Sequence, residues 1–147
     1  GEIEEIDINQ SIDEVLQMIE HQFLISGIEV IKKYTTGLQL VKADKKQIQQ
    51  VFIAVLNNAR EAIRASGTIE IAAIRRDGFI QIAVKDTGCG MSKEVMSRLF
   101  EPFFTTKEKG TGLGLSICFN IIKAHHGDLK IESEAGKGTT VNVLLPV

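Results

Sequence analysis

The spacing of hydrophobic residues along the chain predicts three main helices and one short helix. Apolar residues at helical spacing follow a capping box at Ser11, so a first helix should begin near Ser11 and end at Gly27. A longer apolar stripe predicts a second helix over residues 44–65. A third helix is expected after Gly112, and the short helix is expected over residues 92–100.

Alternating apolar and polar residues predict seven strands, which cover residues 3–8, 28–34, 38–43, 68–75, 79–86, 128–134 and 139–145. Asp77-Gly78 between two apolar runs is a strong hairpin signal. Hairpins dominate over regular βαβ crossovers, which predicts an α+β fold. We expect a two-layer α/β sandwich, with a mixed sheet packed on the three main helices. Because the chain of 147 residues begins with Gly1, we expect residues 1–147 to form a single domain of a longer chain.

Composition excludes several classes of function. The net charge of −2 provides no basic field for nucleic acid or for direct contact with an anionic membrane. No apolar run approaches the roughly 20 residues of a membrane span. Cys89 and Cys118 form no disulfide or metal pattern and suit a reducing cytosol. The sequence therefore predicts a cytoplasmic domain, whether or not its parent chain is anchored in a membrane.

Asp86 is the strongest candidate for ligand chemistry. It ends a strand whose alternate residues are apolar, so its carboxylate should be directed inward, where a charge is costly without a partner. Gly88 and Gly90 remove side chains beside it, which would leave a hollow with an acceptor at its floor, suited to a ligand's amino group. A simple turn after the strand is the alternative interpretation.

Two further segments suggest anion or cation binding. Asn58 lies on the flank of the long apolar stripe, where its carboxamide could bind a cation or a phosphate, although a surface asparagine is the simpler interpretation. The glycine-rich segment 107–116 could bring backbone N–H groups to a phosphate at the start of a helix. It has neither the Walker A ending nor the Rossmann spacing.

Taken in order, the motifs resemble those of the catalytic ATP-binding domain of sensor histidine kinases, a family related to gyrase, the heat-shock chaperone and mismatch-repair ATPases. The matching segments are LNNA at 56–59 (N box), DTGCGM at 86–91 (G1 box), FEPFFTTK at 100–107 (F box), GTGLGL at 110–115 (G2 box) and GKGT at 136–139. They extend over most of the chain.

This resemblance implies a Bergerat fold that binds Mg²⁺–ATP. The γ-phosphate would pass to a histidine on a separate dimerisation and phosphoacceptor domain, and a two-component response regulator would be an indirect partner. Asn58 would bind Mg²⁺, Asp86 would accept from the adenine amino group with support from Thr139, and Lys107 would reach the terminal phosphates. The implied ATP-binding residues are Asn58, Asp86, Gly88, Gly90, Thr105, Thr106, Lys107, Gly110, Thr111, Gly112, Leu113, Gly114, Leu115 and Thr139.

One departure from the family pattern keeps alternatives open, and the acceptor histidine is expected to lie outside this chain. Ala54 stands where the family usually has a second asparagine, so the magnesium shell is expected to differ and hydrolysis to be poor. None of His21, His125 and His126 lies in an acceptor motif. The alternatives are a nucleotide-binding module without catalysis, an anti-sigma-type serine kinase and, from the tripeptide at 86–88 alone, an aspartic protease.

Residues 101–112 are expected to form a lid. Residues 105–111 contain no apolar side chain, so little burial offsets the entropy of ordering them, and phosphate contacts from Lys107 and glycine N–H groups would supply the stabilisation.

Overall fold

Two sheets and three main helices make up the part of the chain that the computed structural model describes, residues 1–99, 101 and 114–147. The helices are α1 (Ile8–Ile25), α2 (Lys45–Ala62), α3 (Lys93–Met96) and α4 (Gly114–Ala124). The strands are β1 (Ile3–Ile6), β2 (Ile28–Tyr34), β3 (Val41–Asp44), β4 (Gly67–Arg76), β5 (Phe79–Asp86), β6 (Asp128–Glu134) and β7 (Gly138–Pro146). The predicted sandwich of a mixed sheet and three main helices is confirmed.

The larger sheet has five strands in the order β2-β4-β5-β7-β6. Strands β2 and β4 are parallel and are connected through α2, whereas every other neighbouring pair in this sheet is antiparallel. This crossover is an exception to the predicted preference for hairpins. Strands β1 and β3 form a separate antiparallel pair. The topology places β5, which ends at Asp86, in the middle of the larger sheet.

The predicted start of α1 at a Ser11 capping box is wrong. The helix begins at Ile8, and the N-cap is Asp7, whose carboxylate accepts from the backbone N–H of Gln10 at 3.1 Å. Ser11 lies inside the helix, and its hydroxyl donates to the Asp7 carbonyl at 2.8 Å. The helix is therefore capped by Asp7, the earlier of the two possible N-cap residues, and as a result it includes the buried Ile8.

Two other boundaries also differ from the predictions. Strand β3 lies three residues later than the predicted start at 38, and the helix predicted over 92–100 is the single turn of α3. Among the described residues, none of the helices is long and apolar enough to cross a bilayer.

Helix α2 lies at the centre of the helical layer and contacts both α1 and α4. Its predicted apolar stripe is buried at Ile48, Val51, Phe52, Val55, Leu56 and Ala59. The stripe packs in one core with the inner face of the sheet, which presents Ile69, Ile71, Ile80, Ile82, Val84, Val143 and Leu145. Because α2 is fixed on this side, the side chains on its flanks have defined positions.

A polar cluster joins α1 to α2. The ammonium of Lys45 donates to one carboxylate oxygen of Glu14 at 2.9 Å, and the amide of Gln49 donates to the other at 3.0 Å. The Lys45 hydrogen bond is the largest influence on the pKa of Glu14 and, with Gln49, lowers it below its ordinary value despite the opposing effect of desolvation.

We expect Glu14→Gln to destabilise the domain near neutral pH and to have little effect in acid. A carboxylate whose pKa is lowered on folding contributes stability above its unfolded pKa, and this contribution is lost as pH falls through the folded pKa. Urea unfolding of both proteins from about pH 7 to about pH 3 would measure the difference. Glu20→Gln, at an exposed position of the same helix, is the control. A difference that stayed constant across this range would contradict the ionic contribution.

Candidate functional site

Asp86 is buried at the end of an apolar strand face, as predicted. Its neighbours Ile80, Ile82 and Val84 on that face are buried, and Asp86 itself is 5% exposed. One carboxylate oxygen accepts from the backbone N–H of Gly88 at 2.8 Å. Burial raises the pKa of Asp86, and backbone N–H groups of Gly88 and Thr139 oppose that rise. The site thus holds a partly satisfied acceptor within the sandwich.

The glycines after Asp86 allow the chain to pass close to other backbone segments. A Cβ at Gly88 would lie 2.7 Å from both the Cβ and the carbonyl oxygen of Ala62, at the end of α2. At Gly90, where φ is +68°, a Cβ would overlap the carbonyl oxygen of Glu134. The sequence interpretation attributed these glycines to a hollow beside the ligand. The structure adds a reason that the sequence analysis missed, which is close packing of the loop itself.

Hydrogen bonds fix this loop on three sides. The N–H of Cys89 donates to the Ala62 carbonyl at 3.0 Å, and the Cys89 carbonyl accepts from Gly136 at 2.7 Å. The Thr87 hydroxyl accepts from the N–H of Thr68 at 3.0 Å. The loop after Asp86 is therefore held between the end of α2, the start of β4 and the turn joining β6 to β7.

A row of polar side chains crosses the inner face of the larger sheet at the end where β5 finishes with Asp86. Asp86 of β5 is paired with Thr139 of β7, which is paired with Ser133 of β6. The Ser133 and Thr139 hydroxyl oxygens lie 2.7 Å apart, and Ser133 also accepts from the N–H of Met91 at 2.8 Å. The structure therefore brings the predicted Thr139 to Asp86. Sequence analysis missed Ser133, although it falls on the inward positions of β6 after Leu129 and Ile131.

The start of α4 lies beside the part of α2 that carries Asn58. The ring Nε2 of His125 accepts from the N–H of Asp44 at 3.1 Å, and the Cys118 thiol contacts the Val51 carbonyl at 3.9 Å. Asp44, the N-cap of α2, precedes Val51 by seven residues, and His125, just after α4, follows Cys118 by seven residues, so α4 runs antiparallel to α2. Continuing this register places the start of α4 about one turn of α2 from Asn58.

The segment of α2 around Asn58 carries oxygen donors of the kind that Mg²⁺ prefers. Asn58 is half-buried on α2, with Glu61 one turn later and Ala54 one turn earlier. The carboxamide oxygen of Asn57 is buried and has no hydrogen-bond partner among the described residues. Carboxamide and carboxylate oxygens are the donors that Mg²⁺ prefers. Among those residues, no group of three His, Cys, Asp or Glu side chains could hold a metal ion.

Several predicted site residues lie outside the described part of the chain. They are Thr105, Thr106, Lys107, Gly110, Thr111, Gly112 and Leu113, together with most of the F box and the proposed lid. Gly114 and Leu115 form the first turn of α4. The N-terminus of a helix carries unpaired N–H groups and a partial positive charge, which suits phosphate.

Comparison with known proteins identifies the family to which this chain belongs. Residues 43–147 match the family described as Histidine kinase-, DNA gyrase B-, and HSP90-like ATPase, and the chain therefore belongs to that family.

Curated relatives of this chain are named as kinases and are longer than it. Sporulation kinase C of Bacillus subtilis is 40% identical over 142 residues, which are 95% of this chain and 33% of the relative. The signal transduction histidine-protein kinase AtoS of Escherichia coli is 34% identical over 145 residues, 98% of this chain and 24% of the relative. The chain thus spans a third or less of these proteins.

Solved structures of histidine kinases share the whole fold. The nucleotide-free catalytic domain of histidine kinase ThkA matches with a TM-score of 0.90 and 33% identity, over 99% of this chain and 96% of that one. Full-length ShkA in complex with AMPPNP matches with a TM-score of 0.88 and 27% identity, over 98% of this chain and 31% of that one. ThkA in complex with the response regulator protein TrrA matches with a TM-score of 0.84 and 30% identity, over 98% of this chain and 41% of that one.

We expect Gly90→Ala to destabilise the domain by about 2–5 kcal/mol, because strain at positive φ adds to overlap with the Glu134 backbone. Gly136→Ala is a matched control on the facing turn. It has a φ of +83° but nothing within 4 Å of the added Cβ, so it should lose only the strain of about 1–2 kcal/mol. Urea unfolding measures both, and equal losses would show that the close approach at Gly90 is unimportant.

Proposed function

We propose that the chain is the ATP-binding catalytic domain of a cytoplasmic kinase that acts in two-component signalling. It binds Mg²⁺–ATP and donates the γ-phosphate to a histidine on a separate dimerisation and phosphoacceptor domain of its parent protein. A response regulator then receives the signal indirectly. The observation that carries this proposal is the buried Asp86 carboxylate at the end of β5, within the region that matches the ATPase family.

In this proposal the base is recognised at Asp86. The ionised carboxylate is an acceptor, and the 6-amino group of adenine is a donor that fits it. Thr139 stands beside Asp86 in the neighbouring strand and supports the same contact. Gly88 and Gly90 hold the loop around the base, since that loop is fixed to the end of α2 and to the β6–β7 turn.

The phosphates would lie where α2 and the start of α4 come together. Asn58 would hold Mg²⁺, and the metal would supply neutralisation of charge on the phosphates. The first turn of α4, at Gly114 and Leu115, would present backbone N–H groups to them. Thr105, Thr106, Lys107, Gly110, Thr111, Gly112 and Leu113 would complete the phosphate contacts, as the family resemblance implies. The AMPPNP complex of ShkA and the TrrA complex of ThkA support the ligand and the partner.

A second candidate, an ATP-binding module without phosphotransfer, is favoured by one observation. Ala54 lies one turn before Asn58 and packs against the core, and its methyl group can neither bind a metal nor orient a water molecule. Phosphotransfer by the full-length parent, measured beside a variant with Ala54→Asn, would separate the two functions. Transfer by the natural parent rules out the module, whereas transfer by the variant alone establishes it.

We expect Asp86→Asn to weaken binding of ADP and ATP about 10- to 100-fold. A hydrogen bond to a charged acceptor contributes about 1.5–3 kcal/mol, and the amide substitution removes the charge while keeping the shape. Titration calorimetry of the folded variant measures the loss. Asp77→Asn, in the hairpin turn between β4 and β5, is the matched control and should bind as the wild type does. Unchanged affinity of the Asp86→Asn variant for both nucleotides would contradict the proposed contact between Asp86 and the base.

We expect the isolated domain not to label itself with the γ-phosphate of ATP. Both ring nitrogens of His125 are engaged, one with the Asp44 N–H and the other with the Ile121 carbonyl at 2.8 Å. His21 and His126 are exposed but lie in no acceptor motif. Labelled ATP should therefore give acid-labile phosphate only after the parent's dimerisation and phosphoacceptor domain is added. Acid-labile label on any of the three histidines would contradict this, and acid-stable label would indicate the serine-kinase alternative.

A further inference from the structure

Ser133 lies at a junction of hydrogen bonds next to the proposed base contact. Its hydroxyl oxygen is 2.8 Å from the Met91 nitrogen, 3.0 Å from the Gly138 carbonyl oxygen and 2.7 Å from the Thr139 hydroxyl oxygen. These three groups belong to the loop after Asp86 and to the first two residues of β7. Ser133 therefore contacts both segments that surround the Asp86 carboxylate.

The direction of each hydrogen bond follows from the proton count. A serine hydroxyl has one proton to donate and two lone pairs that accept. The Met91 N–H can only donate, and the Gly138 carbonyl can only accept, so Ser133 accepts from the first and donates to the second. The remaining lone pair of Ser133 faces the Thr139 hydroxyl, which must then be the donor.

The opposite assignment is unfavourable. If Ser133 donated its proton to Thr139, its oxygen and the Gly138 carbonyl oxygen would lie 3.0 Å apart without a proton between them. Two acceptors at this distance repel each other, and the repulsion is stronger in a partly buried site than in water. The first arrangement satisfies all three close contacts at once.

The consequence is that Thr139 can offer only lone pairs to a ligand. Its single proton is committed to Ser133. Thr139 and Asp86 are directly paired across β7 and β5, so their side chains lie on the same face with Cβ atoms about 5 Å apart. The ionised Asp86 carboxylate also only accepts. Two neighbouring groups on the inner face of the sheet thus present acceptors and no donor.

We propose that Ser133 is a positioning residue that sets the base specificity of the nucleotide site by holding the Thr139 hydroxyl as an acceptor. This inference rests on the proposed function and names its substrate class, the 6-amino purine nucleotides. A 6-amino group donates to such a pair of acceptors, directly or through water. A 6-oxo purine such as guanine, bound in the same orientation with its 6-position against this pair, places a carbonyl oxygen there, and acceptors on both sides repel.

The test is the ratio of the dissociation constants for GDP and ADP, measured by titration calorimetry on this chain. In Ser133→Ala the Thr139 hydroxyl is released and can turn its proton toward a guanine oxygen, so the ratio should fall about tenfold. Ser133→Thr keeps the hydroxyl and should restore the ratio to within about twofold of the wild type. Thr140→Val, on the opposite face of the same strand, is the control and should leave the ratio unchanged.

A double-mutant cycle separates positioning from a general loosening of the loop. With Thr139→Val as background, Ser133→Ala should still reduce stability through the lost Met91 contact but should not change the ratio further. A ratio that falls equally with and without the Thr139 hydroxyl would overturn the proposal. So would a folded Ser133→Ala variant that keeps the wild-type ratio.

A measurement on the wild type covers the case in which Ser133→Ala does not fold. In nuclear magnetic resonance spectra, a slowly exchanging Thr139 hydroxyl proton directed at Ser133 supports the assignment, and a Ser133 hydroxyl proton directed at Thr139 overturns it. Failure of the proposed function is distinct, because the wild type would then bind neither nucleotide. If ADP binding depends on Asp86 but the GDP-to-ADP ratio of dissociation constants does not depend on Ser133, the positioning role of Ser133 is refuted and the proposed function is not.

Discussion

The burial of one carboxylate, that of Asp86, determines much of the structure around it. A charge at the end of an apolar strand face is costly unless donors reach it, and the nearest donors are backbone N–H groups. The Gly88 N–H can reach the carboxylate only if the chain turns immediately after β5. That turn brings residue 88 against Ala62, at a distance that leaves no room for a side chain. The course of the loop, the end of α2 and the position of β7 are therefore linked through this single acceptor.

Local periodicity accounts for what could be predicted from the sequence. The apolar stripe of α2 and the alternation of β5 are repeated over several turns or residues, so burial of Asp86 and the position of Asn58 followed from them. The start of α1 could not be predicted in this way, because Asp7 and Ser11 are both adequate N-caps and the burial of Ile8 decides between them. The parallel pairing of β2 with β4 also depends on long-range packing, which no local pattern records.

The role of Ser133 was beyond sequence reasoning for a related reason. A single serine near the end of a strand has no pattern of its own. Its contacts arise because three strands are in register, which places Asp86, Thr139 and Ser133 in one row. The motif at 136–139 points to Thr139, but only the register shows which group fixes the direction of its hydroxyl proton. Specificity can thus depend on a residue one strand beyond the recognised motif.

The imidazole of His125 shows how the two helices beside the proposed phosphate site are held together. Because the Asp44 N–H can only donate, the Nε2 atom of His125 must be unprotonated, and the proton on Nδ1 goes to the Ile121 carbonyl. This bond joins the end of α4 to the start of α2, at the far end from Asn58. The end of α4 is fixed at the start of α2, and the two helices are antiparallel. The rigid length of α4 therefore determines that its start lies near Asn58. The start of α4, which the proposed function places at the phosphates, is therefore kept in place by contacts within the domain. Under the proposed function, His125 therefore serves as part of that frame and not as the phosphoacceptor.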